Sequence, residues 1–296
     1  MGQRVKTDRH VRNEIGIGDP SYPNCLRDLS DPPKTLYVIG DIRLFTPGLA
    51  VIGARRATPY GLQSARRFAG WAAACGVTVV SGAAIGCDRA AQLAARETDG
   101  HSIAVLGCGA DVDYPAASRE LLADLRRNCA VVSELPWGTP PTRWAFAKRN
   151  RIIAALSAAV LVVEAGLPSG TFSTADFALD IGRDVMAVPG SINHPESRGA
   201  NRLIRQGATP ITDVSELGDA LRQAGLALDR ECRDAEARIG NDPLERALTA
   251  DAMRPDDLAR ALECDIMTVA RRLGELEMVG LVVRYRDGRY GLNTTP

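Results

Sequence analysis

Between residues 135 and 163 the chain carries four cations, Arg143, Lys148, Arg149 and Arg151, and no acidic residue, with Trp144 and Phe146 set among them. Cationic side chains pair with phosphates and aromatic faces stack on bases, so this composition suits a single-stranded nucleic acid. Lys148, Arg149 and Arg151 fall just ahead of the apolar run "IIAALS", which predicts a helix starting near Arg151. Cations at a helix start oppose the macrodipole and become favourable when an anion binds there. The same residues also fit a solvated basic loop in which Phe146 is a buried hydrophobic plug. The stretch by itself leaves both readings open.

Other chemistry is thinner. The three histidines (His10, His101, His194) are far apart and lack metal-ligand spacing, so neither a zinc site nor a Ser-His-Asp triad is expected. No catalytic residue, metal or cofactor is predicted. Glu134 and Glu164 each follow a strand-like run and form a candidate carboxylate pair for hydrolysis. Gly107 and Gly109 begin a dinucleotide fingerprint whose third glycine and later acid are missing. Ser169, Gly170 and Thr171 open "SGTFST", where hydroxyls and N–H groups either meet a phosphate or cap a helix.

These residues need a frame. From residue 49 onward, apolar runs ("LAVIG", "VTVVSG", "SIAVLG", "AVVSEL", "AVLVVEA", "DVMAVPG") alternate with amphipathic segments. Near-continuous apolar strands between helices predict a doubly wound α/β fold with a mostly parallel sheet. Gly-rich turns such as "GARRATPYG" and "AGLPSGTFST" follow the strands, where such sheets bind ligands. The expected divisions are a lead-in over 1–48, the sheet domain over 49–222 and a polar linker over 223–242. Residues 243–296 read as three short helices and a hairpin turning at Asp287-Gly288, a small winged-helix domain. Its eight arginines face nine acids, so it is not a basic module.

Composition sets the limits. Net charge is zero, so any polyanion site must be a local patch. Seven scattered cysteines without a C-x-x-C pair predict reduced, mostly buried thiols. The charged N-terminus has no apolar signal core, and the apolar run Ile152–Val163 falls far short of the roughly 20 residues that span a bilayer. A cytoplasmic protein without a membrane partner is expected.

The ordered set "YPNCLRDLSDPPKTLYVIG", "VIGARRATPYG", "SGAAIGCDRAAQ", "IAVLGCGADVDYP", "FAKRNRIIAALSAAVLVVEA", "SGTFSTADFALDIGRDVMAVPGS" and "GANRLIRQGA" resembles the DNA-processing protein A family (DprA, also called Smf). The resemblance runs from about residue 22 to 210. It implies an extended Rossmann-like domain, a homodimer, single-stranded DNA binding, and help in loading the RecA recombinase during natural transformation. It places a phosphate-binding side chain at Arg55 of the G-x-R turn and a second at Arg143, with Phe146 as base-stacking platform. Arg149, Asn150 and Arg151 complete the pocket, and Ser81, Gly82 and Gly86, with Asp88, form a small-residue turn beside the DNA. Ser169, Gly170 and Thr171 join the DNA-binding set. Gln92 stands where the family commonly has His, and Ala147 where Pro is common. The residues before Tyr22 are expected to be too few for the N-terminal SAM-like domain of many members.

Two functions follow: a non-enzymatic single-strand DNA-binding mediator of recombination, or an enzyme or sensor for a nucleotide-derived small molecule. The similar nucleoside-phosphate hydrolases of the lysine-decarboxylase-like group carry P-G-G-x-G-T-x-x-E. "LPSGTFSTAD" has neither the glycine pair nor the Glu.

Overall fold

The computed structural model describes residues 12–229, 243–278 and 281–292. Its sheet grows outward from β3 (Gly48–Ile52), whose five residues are all buried. On one side lie β4 (Val79–Ser81), β5 (Ser102–Val105) and β6 (Ala130–Ser133); on the other lie β7 (Ser157–Val162), β8 (Asp184–Ala187) and β9 (Thr209–Pro210). All of these run parallel. The chain steps away from β3 three times and then returns to its other side, which makes the β3–β7 boundary the topological switch point.

The sheet begins earlier than residue 49. β2 (Thr35–Gly40) lies antiparallel against β6, and β1 (Arg12–Gly16) lies antiparallel against β2. Tyr22, Leu26, Leu36 and Val38 are buried in the same core as β3. The segment read as a lead-in thus supplies two of the nine strands.

Strand alternation assigns the helices to faces. Leu49 and Val51 pack with residues of α1 (Pro59–Ala74), α2 (Cys87–Glu97) and α7 (Val214–Gln223). Farther along that face, Ala104 and Val131 pack with α3 (Arg119–Asn128). Ala50 and Ile52 meet α4 (Arg143–Ala155), α5 (Thr171–Asp180) and α6 (Arg198–Arg205) through Ile152, Ala175 and Leu203.

Helix α4 starts eight residues earlier than its apolar run suggests. Pro140 and Pro141 stop the preceding chain, Thr142 is extended at the N-cap, and Arg143 is the first helical residue. Only Arg143 therefore sits at the positive end, and Lys148, Arg149 and Arg151 occupy the helix body. The thiol expectation is also corrected. Cys75, at the buried end of α1, is disulfide-bonded, whereas Cys25, Cys87, Cys108, Cys129 and Cys264 are free. Scattered cysteines in a sequence do not reveal which sulfurs the fold brings together.

The linker expected over 223–242 lies mostly outside the described residues. Its described part belongs to the sheet domain. Leu226 and Leu228 pack on the core of α1 and α7, and Asp229 N donates to Cys75 O at 3.0 Å. The C-terminal module has α8 (Pro243–Ala250), α9 (Pro255–Ala261), α10 (Ile266–Met278) and a hairpin of β10 (Val282–Arg284) and β11 (Tyr290–Leu292). Leu248, Leu258, Leu273 and Val282 form its core, and Met253 bridges to Tyr290 beside the hairpin, completing a winged helix. Gly288 takes φ +83° at the hairpin turn, a conformation that favours glycine. Several of its arginines are paired within the module: Arg260 with Asp257, Arg272 with Glu275, and Arg289 with Asp287. Among the described residues no helix is long and apolar enough to cross a membrane.

Candidate nucleic-acid interface

A crevice of about 550 Å³ opens beyond the carboxyl ends of β3 and β7. Three segments build it: the loop Gly53–Arg56 after β3, the first half of α4, and the start of α5. On α4, residues 143, 146, 147 and 150 are spaced by three and four, so Arg143, Phe146 and Asn150 share the face turned to the crevice.

The loop after β3 is held close by small residues. A Cβ on Gly53 would lie 2.7 Å from Cys87 Sγ. Gly86, at φ +94°, lets the start of α2 close on the carbonyls of Ala54 and Arg55, and Cys87 N donates to Ala54 O at 3.2 Å. Arg55 is thereby projected over Phe146, its Cζ 5.4 Å from the ring centroid. Such a contact contributes roughly 0.5–1 kcal/mol at an exposed site. Tyr114 meets the same ring at 5.5 Å.

The exposed charges lining the crevice are basic, while its two acids, Asp88 and Glu196, are buried and half-buried. Among the described residues none of the exposed Arg55, Arg56 and Arg143 forms an ion pair. The first turns of α4 and α5 contain no acid, in contrast to α2, α3 and α7 with Asp88, Glu120 and Glu216. At the α5 start, Ser169 Oγ lies 2.9 Å from Thr171 Oγ1 and accepts from Thr171 N at 3.2 Å. Asn150 Nδ2 donates to Ser173 Oγ at 2.8 Å, tying α4 to α5. Gly170 is the α5 N-cap and lines the crevice with Ser169 and Thr171.

Eight of the twelve residues singled out in the sequence line this crevice: Arg55, Arg143, Phe146, Arg149, Asn150, Ser169, Gly170 and Thr171. Arg149 forms part of its floor, 5% exposed, with Nη1 donating to Gly82 O at 3.0 Å and to Val105 O. Burial pushes its pKa down to about 10, against the opposing pull of the nearby Asp88. Gly82 sits against that guanidinium, and its N donates to Asp88 Oδ2 at 3.1 Å. Burial raises the Asp88 pKa while Arg149 lowers it. Asp88 therefore braces the turn after β4.

Three residues lie elsewhere. Ser81 is fully buried and donates to Val51 O at 2.6 Å. Gly86 serves the approach of α2 to the β3 loop. Arg151, 5% exposed, belongs to the neighbouring face of α4, where its Nη2 pairs with Glu134 at 2.5 Å and Lys148 joins at 3.4 Å.

The carboxylate pair is not assembled in the crevice, whose lining includes neither Glu134 nor Glu164. Glu164 is 2% exposed beneath the start of α1, accepting from Thr58 N at 2.8 Å and Thr58 Oγ1 at 2.5 Å. Burial raises its pKa despite those bonds. Gln92 is fully buried, accepting from Ala83 N and donating to Ser102 Oγ and Ile103 O, so the amide serves the fold. Among the described residues no group of three His, Cys, Asp or Glu side chains comes together as a metal site. Sequence reasoning missed Arg56 and Tyr114. The adjacent basic pair at 55–56 and the Tyr-Pro pair after the "GCGAD" turn were the available signals.

The family model of DNA recombination-mediator protein A matches residues 13–222, and that of the DprA winged helix domain matches 238–288. Protein Smf of Escherichia coli is 44% identical over 207 residues, which cover 69% of this chain and 55% of that protein. The chain thus spans little more than half the length of that relative. DNA processing protein A from Streptococcus pneumoniae superposes with a TM-score of 0.68 at 36% identity, covering 70% of this chain and 74% of that one. DNA processing protein A from Helicobacter pylori, whose structure addresses its single-stranded DNA binding mode, superposes with a TM-score of 0.66 at 32% identity, covering 73% of this chain and 97% of that one.

Proposed function

The chain belongs to the DNA recombination-mediator protein A (DprA/Smf) family, and on that premise we propose that the crevice at the β3–β7 switch point binds single-stranded DNA. The observation that carries the proposal is the Arg55–Phe146 stack beside Arg143: free cations next to a half-exposed aromatic face. Backbone phosphates meet Arg55, Arg143 and the acid-free start of α5, and a base stacks on Phe146. Arg149 acts from below as a positioning residue, holding the turns after β4 and β5.

The fuller role is protection of incoming single strands and help in loading RecA during natural transformation, by a homodimer and without chemical turnover. Support for a non-enzymatic reading comes from Glu134 and Glu164, each engaged by its own structural partner away from the crevice. Fluorescence anisotropy with a labelled oligonucleotide over a salt series tests the proposal. Binding whose affinity falls with salt, unaccompanied by nucleotide turnover, supports it. Tight binding and hydrolysis of a free nucleotide, with no affinity for the strand, refute it.

A further inference from the structure

The winged helix shows more apolar surface than its size calls for. Of the thirteen large hydrophobic side chains that stand exposed among the described residues, six belong to this small module. Three of them, Leu281, Val283 and Tyr285, alternate along β10 on the face opposite to the buried Val282. Gly291 lies across from Val283 on β11, and a Cβ there would come within 2.8 Å of the Tyr285 ring. With glycine in that place the ring rests on the β11 backbone, and the outer face of the hairpin is a smooth apolar strip.

The same strand is an open edge. Tyr290 of β11 exchanges two backbone hydrogen bonds with Met253, at 2.8 and 3.0 Å, so β11 lies between Met253 and β10. Tyr285 N donates to Arg289 O at 2.8 Å, which turns the backbone polar groups of Tyr285, and by alternation those of Val283, toward β11. Those of Val282 and Arg284 point outward, and among the described residues no strand lies beyond them. Open edges are normally guarded by a charge, a proline or a bulge. Here the one charge of β10, Arg284, is folded over the ring of Tyr290, its Cζ 5.8 Å from the centroid. An apolar edge without such a guard suits a further strand.

The register of that strand follows from β10 itself. In an antiparallel pair centred on Val283, Val282 and Arg284 of one copy exchange N–H···O=C bonds with Arg284 and Val282 of the other. Val283 then faces Val283, and Leu281 faces Tyr285, at the positions where cross-strand side chains come closest. Centring the pair on Arg284 would instead set two guanidinium groups face to face. We propose that β10 pairs with β10 of a second copy of this chain, joining two winged helices into one antiparallel sheet. The contact uses no residue of the crevice. Its few hydrogen bonds and short apolar row make it weak in dilute solution. Copies held side by side on a long strand meet at a far higher effective concentration, and there the contact couples neighbours. That consequence alone rests on the single-strand reading above.

Val283 is exposed, so charging it spares the fold and sets like charges across the axis. The test is sedimentation of the full chain over a concentration series. The average mass of the wild type rises with concentration, and Val283→Lys and Val283→Glu each lose that rise. An equimolar mixture of the two variants recovers it, because lysine then faces glutamate. A homodimer formed elsewhere on the chain persists in both variants and sets the baseline mass. Met267→Lys, which charges an exposed residue of α10 outside the pairing, keeps the rise. A rise that survives in both Val283 variants, or that is missing from the wild type, overturns the pairing. Its loss in Met267→Lys also overturns it, since that marks unspecific hydrophobic adhesion. On a strand long enough for several copies, the wild type titrates more steeply than either Val283 variant, and all three bind a short oligonucleotide alike. Equal steepness overturns the coupling of neighbours. Failure of the wild type to bind either strand overturns the single-strand reading, while sedimentation still decides the pairing.

Discussion

The guanidinium of Arg55 covers the ring of Phe146 at 5.4 Å, coupling the loop after β3 to the first turn of α4. The ring is half-buried, packed against Gly107 and Tyr114, so it has both a structural and an accessible side. On the proposed reading, a base that stacks on the ring releases Arg55 to meet a phosphate. Phe146→Ala is therefore expected to cost roughly 1–3 kcal/mol of strand binding. Its stability loss should stay below the roughly 3–5 kcal/mol of a fully buried phenylalanine. Titration and thermal melting of the same variant check both. A core-sized stability loss with unchanged affinity would return Phe146 to the role of plug.

Arg55 and Arg143 are exposed and have no ion-pair partner among the described residues, so their charges are available to a strand. Each phosphate contact to a single strand contributes about −0.7 to the slope of log affinity against log salt. Arg55→Ala and Arg143→Ala should each reduce the steepness of that slope by about this amount. An unchanged slope in both variants sinks the assignment.

Arg151 should behave differently, although it lies in the same basic stretch. It is paired with Glu134 on the face of α4 that adjoins the crevice-lining one. Arg151→Met is expected to leave the salt slope as it is and to destabilise the fold by about 3 kcal/mol. That is the lower end for breaking a buried pair, because Lys148 stays beside Glu134. Denaturant unfolding together with the salt series distinguishes it from Arg143→Ala.

The contrast between Arg143 and Arg151 marks where the sequence was informative. The β-rich runs from residue 49 onward are long, apolar and separated by glycine turns, so the parallel strands and the turns at their carboxyl ends were legible. The direction of the α4 side chains was not, because the helix start lay hidden in "TPPTRW". Shifting that start reassigns which cation faces the crevice. Ser81 and Gly86 were found as a motif, yet small residues fit equally beside a ligand or beside another strand of the same chain. The fold uses them in the second way. Cys75 was illegible for a related reason, since sulfur pairing is a property of three-dimensional proximity.

Glu164 gives a pH signature. Burial holds its pKa above the ordinary 4.5 although Thr58 donates to it twice. Between 4.5 and the raised value, the folded chain binds more protons than the unfolded one. Stability from this group is thus fully present below 4.5 and is lost as pH rises through the folded value. The melting temperature of the wild type minus that of Glu164→Gln should increase as pH falls from neutrality through that window. A difference that is flat, or that shrinks on acidification, contradicts the assignment.

The winged helix should be dispensable for single-strand binding. Its charges nearly cancel, and arginines at 260, 272 and 289 are paired with acids of the same module. The crevice residues all precede it, and the sheet domain is not closed until Leu226, Leu228 and Asp229 have packed against α1 and α7. A chain cut at residue 222 would expose that core and lose these contacts. A chain of residues 1–237, which stops before the winged-helix match at 238, keeps them. It should unfold cooperatively and bind a labelled oligonucleotide within a few-fold of the full chain, with the same salt slope, since Arg55, Arg143 and Phe146 are all retained. Anisotropy at two salt concentrations on both chains decides the matter. A hundredfold loss, about 2.7 kcal/mol, in a shortened chain that melts like the original would move the main DNA contacts to the winged helix.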